Sequence, residues 1–440
     1  MLIEKVNIRY FKKFLDEQFD LSDTVILAGP NNSGKTTLIQ ALVVWNLALR
    51  KWLSERGPGS GSKAKKRTGV AITRKDFTAI PLREMNLLWR NCSTALLKDE
   101  LGEGQKLGTP RILEIEVTGK NANQDWRLKF EYTYRYPDLI HVRPSSKTPI
   151  EHVHEVVKNL QVVHVPPFSG IGAEETRYDE AYQNLLIGQG KPGDILRNLL
   201  LEVHRDRRDD WVSLVEDIDN IFGYKLLPPV YEGQPFINCE YQHGNEKTQS
   251  KLDISTAGSG FLQVLMLLGF FYARPASILL LDEPDVHLHV ILQKQVYDRL
   301  RSIARQRGCQ LIIATHSEVL IDATSPKQIQ SFFSHPHPLE ADPERDQIRE
   351  ALKRLTSLDI LLAEQAPGIL YVEDESDLNL LREWAEILNH SSSQFLTKNP
   401  FWHPNHGRHP KEAQAHFFAL KAVKPNTRGI LLLDDCVNKK

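Results

Sequence analysis

One stretch, TVILAGPNNSGKTTLIQAL at 24–42, constrains the fold of this chain more than any other. Its apolar opening indicates a buried strand that ends at Gly29. The next residues fit the pattern G-x-x-x-x-G-K-[ST] from Gly29 to Thr36, and a helix is predicted from about Gly34 to Arg50. In this strand–loop–helix order, several backbone N–H groups and the helix dipole can face one anion. The alternative is a glycine turn that only caps a helix, and the strand before the loop disfavours it.

The residue types in this loop match the parts of a bound nucleoside triphosphate. We expect Lys35 to reach the β- and γ-phosphates and the Thr36 hydroxyl to bind Mg²⁺. ATP and Mg²⁺ are therefore the expected cofactors. The residues predicted to bind nucleotide in this loop are Gly29, Asn32, Ser33, Gly34, Lys35, Thr36 and Thr37.

A second buried run, SILLLDEP at 277–284, ends in two acids. Asp282 is placed to hold Mg²⁺ through water, and the adjacent Glu283 to deprotonate the attacking water. His316 ends the next predicted strand, CQLIIATHS at 309–317, where it can contact the γ-phosphate or that water. Taken alone, these residues could be solvated acids and a half-buried histidine with a backbone partner. The phosphate loop upstream favours the catalytic interpretation.

Composition and charge narrow the function classes. The 440 residues carry a net charge of −1, so there is no global electrostatic argument for nucleic acid. The four cysteines are scattered, show no metal spacing and suit a reducing cytosol. The longest nearly apolar run, at 261–273, is too short to span a bilayer. We therefore expect a cytoplasmic protein with no membrane contact.

Hydrophobic periodicity predicts further elements. The runs at 111–120 and 126–136 alternate at period two and indicate an antiparallel hairpin. A helix is predicted at about 290–307, with Gly308 at its C-cap. The residues expected on its buried face are Ile291, Val296, Leu300 and Ile303.

Taken in order, these motifs resemble the ABC-type ATPases of the SMC class. More narrowly, they resemble the overcoming-lysogenization-defect (OLD) family and related anti-phage AAA ATPases. The segments that carry the resemblance are IEKVNIRYFKKF, ILAGPNNSGKTTLIQAL, STAGSGFLQVLMLL, LLLDEPDVHLH and IIATHS, within residues 1 to about 325. The third of them occupies the position of the signature motif, and its matching residues are Gly258, Ser259, Gly260 and Gln263.

The resemblance implies an α/β fold over residues 1–330, namely an ABC-type P-loop NTPase head with a mixed sheet and an antiparallel β arm. It also implies a homodimer or larger homo-oligomer in which two heads sandwich ATP. Each site then takes its phosphate loop from one subunit and its signature from the other. Gly258–Gly260 at a helix start could offer N–H groups to such a γ-phosphate. The alternative is a glycine turn before a core helix, and no Q-loop glutamine is assigned.

A linker or helical connection is predicted at 331–365, followed by a second α/β unit at 366–440. This unit resembles the start of a Toprim domain, the metal-dependent nuclease module attached to this ATPase family. Cys436 stands where the resemblance implies a second acid, and it is a poor Mg²⁺ ligand. Asp435 beside it would point the other way along a strand. The metal ligands that the resemblance implies are Glu373, Asp377 and Asp434.

Two features of this incomplete Toprim-like unit concern its surface. The helix after Glu373 is expected to bury an apolar face, and the parallel strand at 429–434 is expected to leave a sheet edge open. The edge belongs either to a truncated nuclease or to a docking surface that accepts a partner strand. The residues expected on the buried face are Leu380, Leu381, Trp384 and Leu388.

These expectations favour an ATP-hydrolysing ABC-type ATPase whose dimerisation gates a nucleic-acid-directed, anti-phage response. Nuclease activity is not expected from this chain alone. Two alternatives remain open: an ATP-dependent metal endonuclease, and a non-nuclease sensor or scaffold for a partner effector protein. A basic loop could contact DNA phosphates, but a solvated flexible loop is the favoured interpretation. Its residues are Lys63, Lys65, Lys66 and Arg67. Zinc is not expected at His403, His406, His409 and His416, whose spacing matches no closed site.

Overall fold

The computed structural model describes residues 2–56, 69–78, 80–102, 104, 106–121, 124–146, 160–243, 250–333, 335–397, 401–405 and 410–433. These residues form two compact units. The first comprises Met1–Leu27 and Gly34–Leu320, and the second comprises Ala28–Ser33 and Ile321–Lys440. The second unit thus begins before the predicted domain end near residue 330, and it includes part of the phosphate loop.

Four strands of the first unit lie side by side. They are β3 (Thr24–Ala28), β13 (Gln310–Thr315), β12 (Ile278–Asp282) and β8 (Val162–Val165), in that order. Strand β12 is parallel to both of its neighbours. Every residue of β3, β12 and β13 is buried, as expected for parallel strands covered on both faces. The prediction of buried strands at these positions is confirmed.

An antiparallel sheet of six strands forms a second layer of the first unit. In sheet order the strands are β2 (Asp16–Asp20), β1 (Leu2–Arg9), β5 (Leu113–Asn121), β6 (Gln124–Tyr136), β7 (Leu139–Pro144) and β4 (Val70–Thr73). All neighbours in this sheet pair antiparallel. The predicted hairpin is therefore confirmed as β5 and β6. The chain has an α/β fold with antiparallel and parallel pairing.

Helix α1 (Lys35–Arg56) contacts strands of both layers. Its apolar residues lie on all sides, as expected of a helix buried between two sheets. Trp45 is fully buried, stacks on Trp126 at 6.2 Å, and donates its indole N–H to Leu128 O at 3.1 Å. The start of α1, which carries Lys35 and Thr36, is thereby fixed by core packing.

The remaining elements of the first unit surround these layers. The helices are α2 (Glu180–Gly188), α3 (Leu196–Asp206), α4 (Arg208–Phe222), α5 (Ser259–Ala273) and α6 (Val290–Arg307), and the short α7 (Glu318–Asp322) follows. A small antiparallel sheet holds β11 (Leu252–Asp253), β10 (Glu240–His243) and β9 (Tyr224–Leu226). Gly308 ends α6 with a φ of 63°, as predicted. The prediction for Ile291 is wrong: it is exposed because it lies in the first turn of α6, ahead of the buried stripe from Val296 to Ile303.

The second unit contains an antiparallel pair of strands, a three-stranded parallel sheet and five α-helices within its described residues. Strands β14 (Ile329–Ser331) and β15 (His337–Pro338) pair antiparallel, and β17 (Trp402–Pro404), β16 (Gly368–Val372) and β18 (Arg428–Leu431) form a parallel sheet. The helices are α8 (Asp342–Arg354), α9 (Ser357–Gln365), α10 (Glu375–Ile387), α11 (Ser393–Thr397) and α12 (Lys411–Val423). The connection at 331–365 is thus largely helical.

The predicted buried face of α10 is wrong for three of its four residues, and only Leu381 packs against a core. Leu378 and Ala385 are buried, whereas Leu380 and Trp384 are about half exposed and Leu388 is 73% exposed. Leu378 and Ala385 belong to a small core with Val372 at the end of β16. The apolar surface of α10 is wider than this core, so only one side of it is buried. Within the described residues, no helix has the length and apolar character needed to cross a membrane.

Candidate active site

Two carboxylate residues, Asp282 and Glu283, lie at the end of β12 in the parallel layer. Asp282 is the last residue of that strand and is buried. Glu283 continues the ladder by donating its N–H to Ala314 O at 2.9 Å, but its φ is 53°, in the left-handed region that non-glycine residues seldom adopt. Successive residues of a regular strand point to opposite faces, and this conformation breaks that alternation. Such local strain is typical of functional sites.

Lys35, His316 and Glu283 form a chain of polar contacts. Lys35 Nζ lies 3.1 Å from His316 Nε2, and His316 Nε2 lies 3.3 Å from Glu283 Oε1. Burial lowers the pKa of Lys35 to about 8, although Glu283 and Asp282 act in the opposite direction. Contact with His316 lowers the pKa of Glu283, which favours the ionised form that a general base requires.

The single nitrogen Nε2 of His316 cannot serve both neighbours at once. It accepts from Lys35 only when it carries no proton, and it donates to Glu283 only when it carries one. The two contacts therefore belong to different tautomers or charge states of the ring. His316 and Glu283 each remain about one-third exposed, so solvent reaches this group.

Thr36 and Asp282 form the second contact of the site. The Thr36 hydroxyl donates to Asp282 Oδ1 at 3.0 Å. Burial raises the pKa of Asp282 to about 6, although the hydrogen bond from Thr36 opposes the shift. A bound cation would offset this cost of burying a carboxylate. The two oxygens fit Mg²⁺, a hard cation that takes oxygen ligands.

The phosphate-loop residues carry unusual backbone angles. Gly34 has a φ of 118°, which a residue with a side chain rarely adopts, and Asn32 has a φ of 60°. Within the second unit, Ser33 N donates to Pro30 O at 3.3 Å. A Cβ on Gly29 would lie 2.8 Å from Phe332 Cβ, so glycine is required there by close approach. Thr37 follows Thr36 in the first turn of α1.

The predicted signature residues lie at the start of α5. Gly258 is the N-cap residue, so no side chain at that position caps the helix. Gly258 and Ser259 are both exposed. Gly260 is half-buried, and a Cβ on it would lie 3.2 Å from His287 O. Gln263 is the fourth predicted signature residue. It is buried and donates to Pro284 O at 3.2 Å, so it braces the loop after β12.

A polar network beside the site was not predicted. Asp285 is buried and accepts a hydrogen bond from the Thr315 hydroxyl, which itself accepts from Ser317 N at 2.8 Å. The Gln293 amide accepts from the Ser317 hydroxyl at 2.7 Å and donates to Leu288 O at 3.0 Å. These bonds tie the loop after β12 to the loop that carries His316. The position of Asp285 just after the acid pair was the only sequence signal.

The predicted metal site of the second unit is described only in part, because Asp434 lies outside the described residues. Glu373 follows β16, and its Oε1 is buried without a hydrogen-bond partner. Asp377 lies in the first turn of α10, where its carboxylate accepts from Asp374 N at 3.1 Å. No group of three or more His, Cys, Asp or Glu side chains in the described ranges could hold a metal ion. Several predicted residues lie outside those ranges: Asp434, Asp435, Cys436, His406, His409, Lys63, Lys65, Lys66 and Arg67.

Two domain families match the chain. Residues 118–322 match the family described as "AAA domain, putative AbiEii toxin, Type IV TA system". Residues 1–85 match the family described as "AAA ATPase domain". The chain carries an AAA-type ATPase domain. No curated protein sequence matches it.

Solved structures give distant likenesses. An SMC head domain from Thermotoga maritima is 14% identical, with a TM-score of 0.41, over 78% of this chain and 100% of that one. An Smc head bound to the C-terminal winged-helix domain of ScpA is 15% identical, with a TM-score of 0.47, over 78% and 99%. An Smc head with an extended coiled coil, bound to the C-terminal domain of ScpA derived from Pyrococcus furiosus, is 14% identical, with a TM-score of 0.40, over 75% and 92%. These likenesses are too distant to assign a function.

Proposed function

We propose that two copies of this chain hydrolyse ATP at a shared interface. The observation that carries the proposal is the cluster at the ends of β12 and β13, where Glu283, His316 and Lys35 are in contact. Thr36 and Asp282 lie in hydrogen-bond contact beside them. The matches to AAA-type ATPase domains support the choice of ATP.

Each residue of the cluster has a role that its surroundings support. Lys35 supplies positive charge for the β- and γ-phosphates, and Thr36 and Asp282 hold Mg²⁺, which neutralises phosphate charge when bound. Glu283 deprotonates the attacking water, since it is ionised, lies in contact with His316 and is reached by solvent. His316 orients that water or donates to the γ-phosphate.

The second copy would supply the start of α5. Exposed Gly258 and Ser259 begin a helix of fifteen residues that has no side-chain cap. Backbone N–H groups at such a terminus stabilise an anion, and the helix dipole adds to the effect. The resemblance of the motifs to ABC-type heads supports placing this terminus against the γ-phosphate of the facing copy.

Two substitutions test the proposal. Lys35→Ala should abolish ATP binding, and Glu283→Gln should bind ATP, hydrolyse it at least roughly 100-fold more slowly and accumulate as a dimer. The matched control is Glu216→Gln, an exposed position on α4. Light scattering with ATP reports the dimer, and phosphate release reports turnover. Normal turnover in Glu283→Gln would remove Glu283 as the base.

We further propose that ATP-driven pairing gates a nucleic-acid-directed response of the anti-phage kind. The resemblance of the motifs to the OLD family supports this, and the toxin–antitoxin wording of one matching family is compatible with it. DNA binding measured against salt, with and without a non-hydrolysable ATP analogue, tests the idea. Absence of binding in both states favours the scaffold alternative. Plasmid nicking with Mg²⁺ or Mn²⁺ that disappears in Glu373→Ala would favour the endonuclease alternative.

A further inference from the structure

The turn that leads into the α5 glycine segment is organised by one carboxylate. Asp253 ends β11, and its Oδ1 accepts from Ser255 N at 2.8 Å. Its own carbonyl accepts from the Thr256 hydroxyl at 2.7 Å. These bonds close the short turn Ile254–Thr256, which delivers the chain to Gly258. The placement of the α5 start therefore depends on where Asp253 is held.

A buried arginine holds that carboxylate by both oxygens. Arg197 is 2% exposed, and its Nη1 and Nη2 donate to Asp253 Oδ2 and Oδ1 at 2.9 and 2.8 Å. Nη2 also donates to Ala173 O at 3.2 Å. Burial alone would lower the pKa of Arg197, but the bonds to Asp253 raise it, so the pair stays charged. A two-bond fork fixes orientation as well as distance.

The helix that carries Arg197 is itself anchored. Glu175, which is buried, accepts from the backbone N–H of Arg197 at 2.9 Å and of Asn198 at 2.6 Å. These are orphan donors in the first turn of α3. The chain at 173–175, the start of α3 and the turn before α5 thus form one connected set of hydrogen bonds.

We propose that Arg197 is a positioning residue for ATP hydrolysis, which acts through Asp253 to hold the start of α5 in the orientation that meets the nucleotide of a second copy. This inference rests on the proposed function. A buried ion pair is weak grounds for stability alone, since desolvation cancels much of its attraction. Fixing the direction of an exposed helix start is a task that a rigid two-bond fork performs and a simple apolar contact does not.

Two variants separate positioning from mere stability. Asp253→Asn keeps the size of the side chain and an oxygen for Ser255 N, but it removes the charge that Arg197 requires. Arg197→Lys keeps the positive charge and loses the fork. In both variants we expect ATP affinity of the Lys35 site to stay within about twofold and kcat to fall about tenfold or more, the scale of a lost charge-assisted hydrogen bond. Loss of ATP affinity in both variants would overturn the inference, because the pair would then support the fold as a whole.

Mixing variants gives the decisive readout. Asp253→Asn has an intact ATP site and a misplaced α5 start, whereas Lys35→Ala has an intact α5 start and no ATP site. One composite site of the mixed dimer is then complete, so mixing the two impaired variants should raise hydrolysis above that of either variant alone. Ser259→Arg, which blocks the α5 start directly, is the matched control in the same mixture. Restoration with both partners supports the inference.

The failures are distinguishable. Restoration with Ser259→Arg but none with Asp253→Asn or Arg197→Lys would overturn the positioning role and leave the shared ATP site intact. No restoration with any partner would remove the shared site itself, and the positioning role with it.

Discussion

Gln310 is predicted to be one of the most sensitive polar positions of the first unit. It is the first residue of β13 and is fully buried. Its amide oxygen accepts from Ile3 N at 2.9 Å, and its amide nitrogen donates to Ile3 O at 2.8 Å and to Ser22 O at 2.6 Å. Ile3 lies beyond the part of β1 that pairs with β2, which begins at Lys5. One side chain thus satisfies three backbone groups and links the two layers.

The magnitude follows from these three bonds. Each is worth about 1 kcal/mol net, and a buried backbone group left unpaired costs roughly 1–3 kcal/mol. Gln310→Ala should therefore lower the local free energy of unfolding by about 3–5 kcal/mol. Gln310→Glu should cost as much, because a carboxylate can accept from Ile3 N but cannot donate to the carbonyls of Ile3 and Ser22.

Native-state hydrogen exchange of peptides covering β1 and β13 measures this loss locally. Since each 1.4 kcal/mol is a factor of ten, a loss of about 3 kcal/mol speeds exchange by roughly 100-fold. Gln306→Ala, at an exposed position on α6, is the matched control. Exchange in Gln310→Ala that stays within about threefold of this control would refute the argument that these bonds link the layers.

Two further predictions concern single side chains. Burial alone would raise the pKa of Asp359, but contacts with His416 and Thr356 lower it from 3.8 to about 2. A lowered folded-state pKa adds stability that is present above about pH 4 and is lost as pH falls through about 2. Asp359→Asn should therefore lower the local free energy of unfolding of α9 by about 2 kcal/mol at pH 7, measured by hydrogen exchange. An equal loss of stability near pH 2 would contradict this linkage. Thr315→Val removes the hydroxyl that bonds Asp285, so we expect ATP binding to persist and kcat to fall about tenfold, and an unchanged kcat would show that this bond does not hold the site.

The chemistry of the candidate site could be predicted from the sequence because it depends on residues at the ends of predicted strands. Buried apolar runs predict β3, β12 and β13, and parallel strands end at one edge of a sheet. Residues at the ends of such strands or just after them, such as Asp282 and His316, must therefore lie near each other. The left-handed conformation of Glu283 was not readable, because no glycine or asparagine marks it.

The long-range polar contacts that support the site could not be predicted from the sequence, for a different reason. Arg197 meets Asp253, and Gln293 meets Ser317, across many intervening residues. Each partner alone is an ordinary polar residue on a predicted helix or loop. Only the packing of α3 and α6 shows which polar residues are buried and must find partners. Long-range hydrogen bonds of this kind leave no local pattern in one sequence.

The error at α10 shows what helical periodicity leaves undecided. Its apolar residues cover about half of the helix circumference, and a half-apolar helix needs more than one surface to cover it. The core beside β16 takes Leu378 and Ala385. The stripe on the other side stays exposed within the described residues and consists of Leu380, Trp384, Ile387 and Leu388. The number of apolar residues does not determine which side of the helix is buried, since this depends on the side on which the sheet packs. Ile430 on β18 is likewise exposed, so an apolar sequence by itself established neither buried face of this unit.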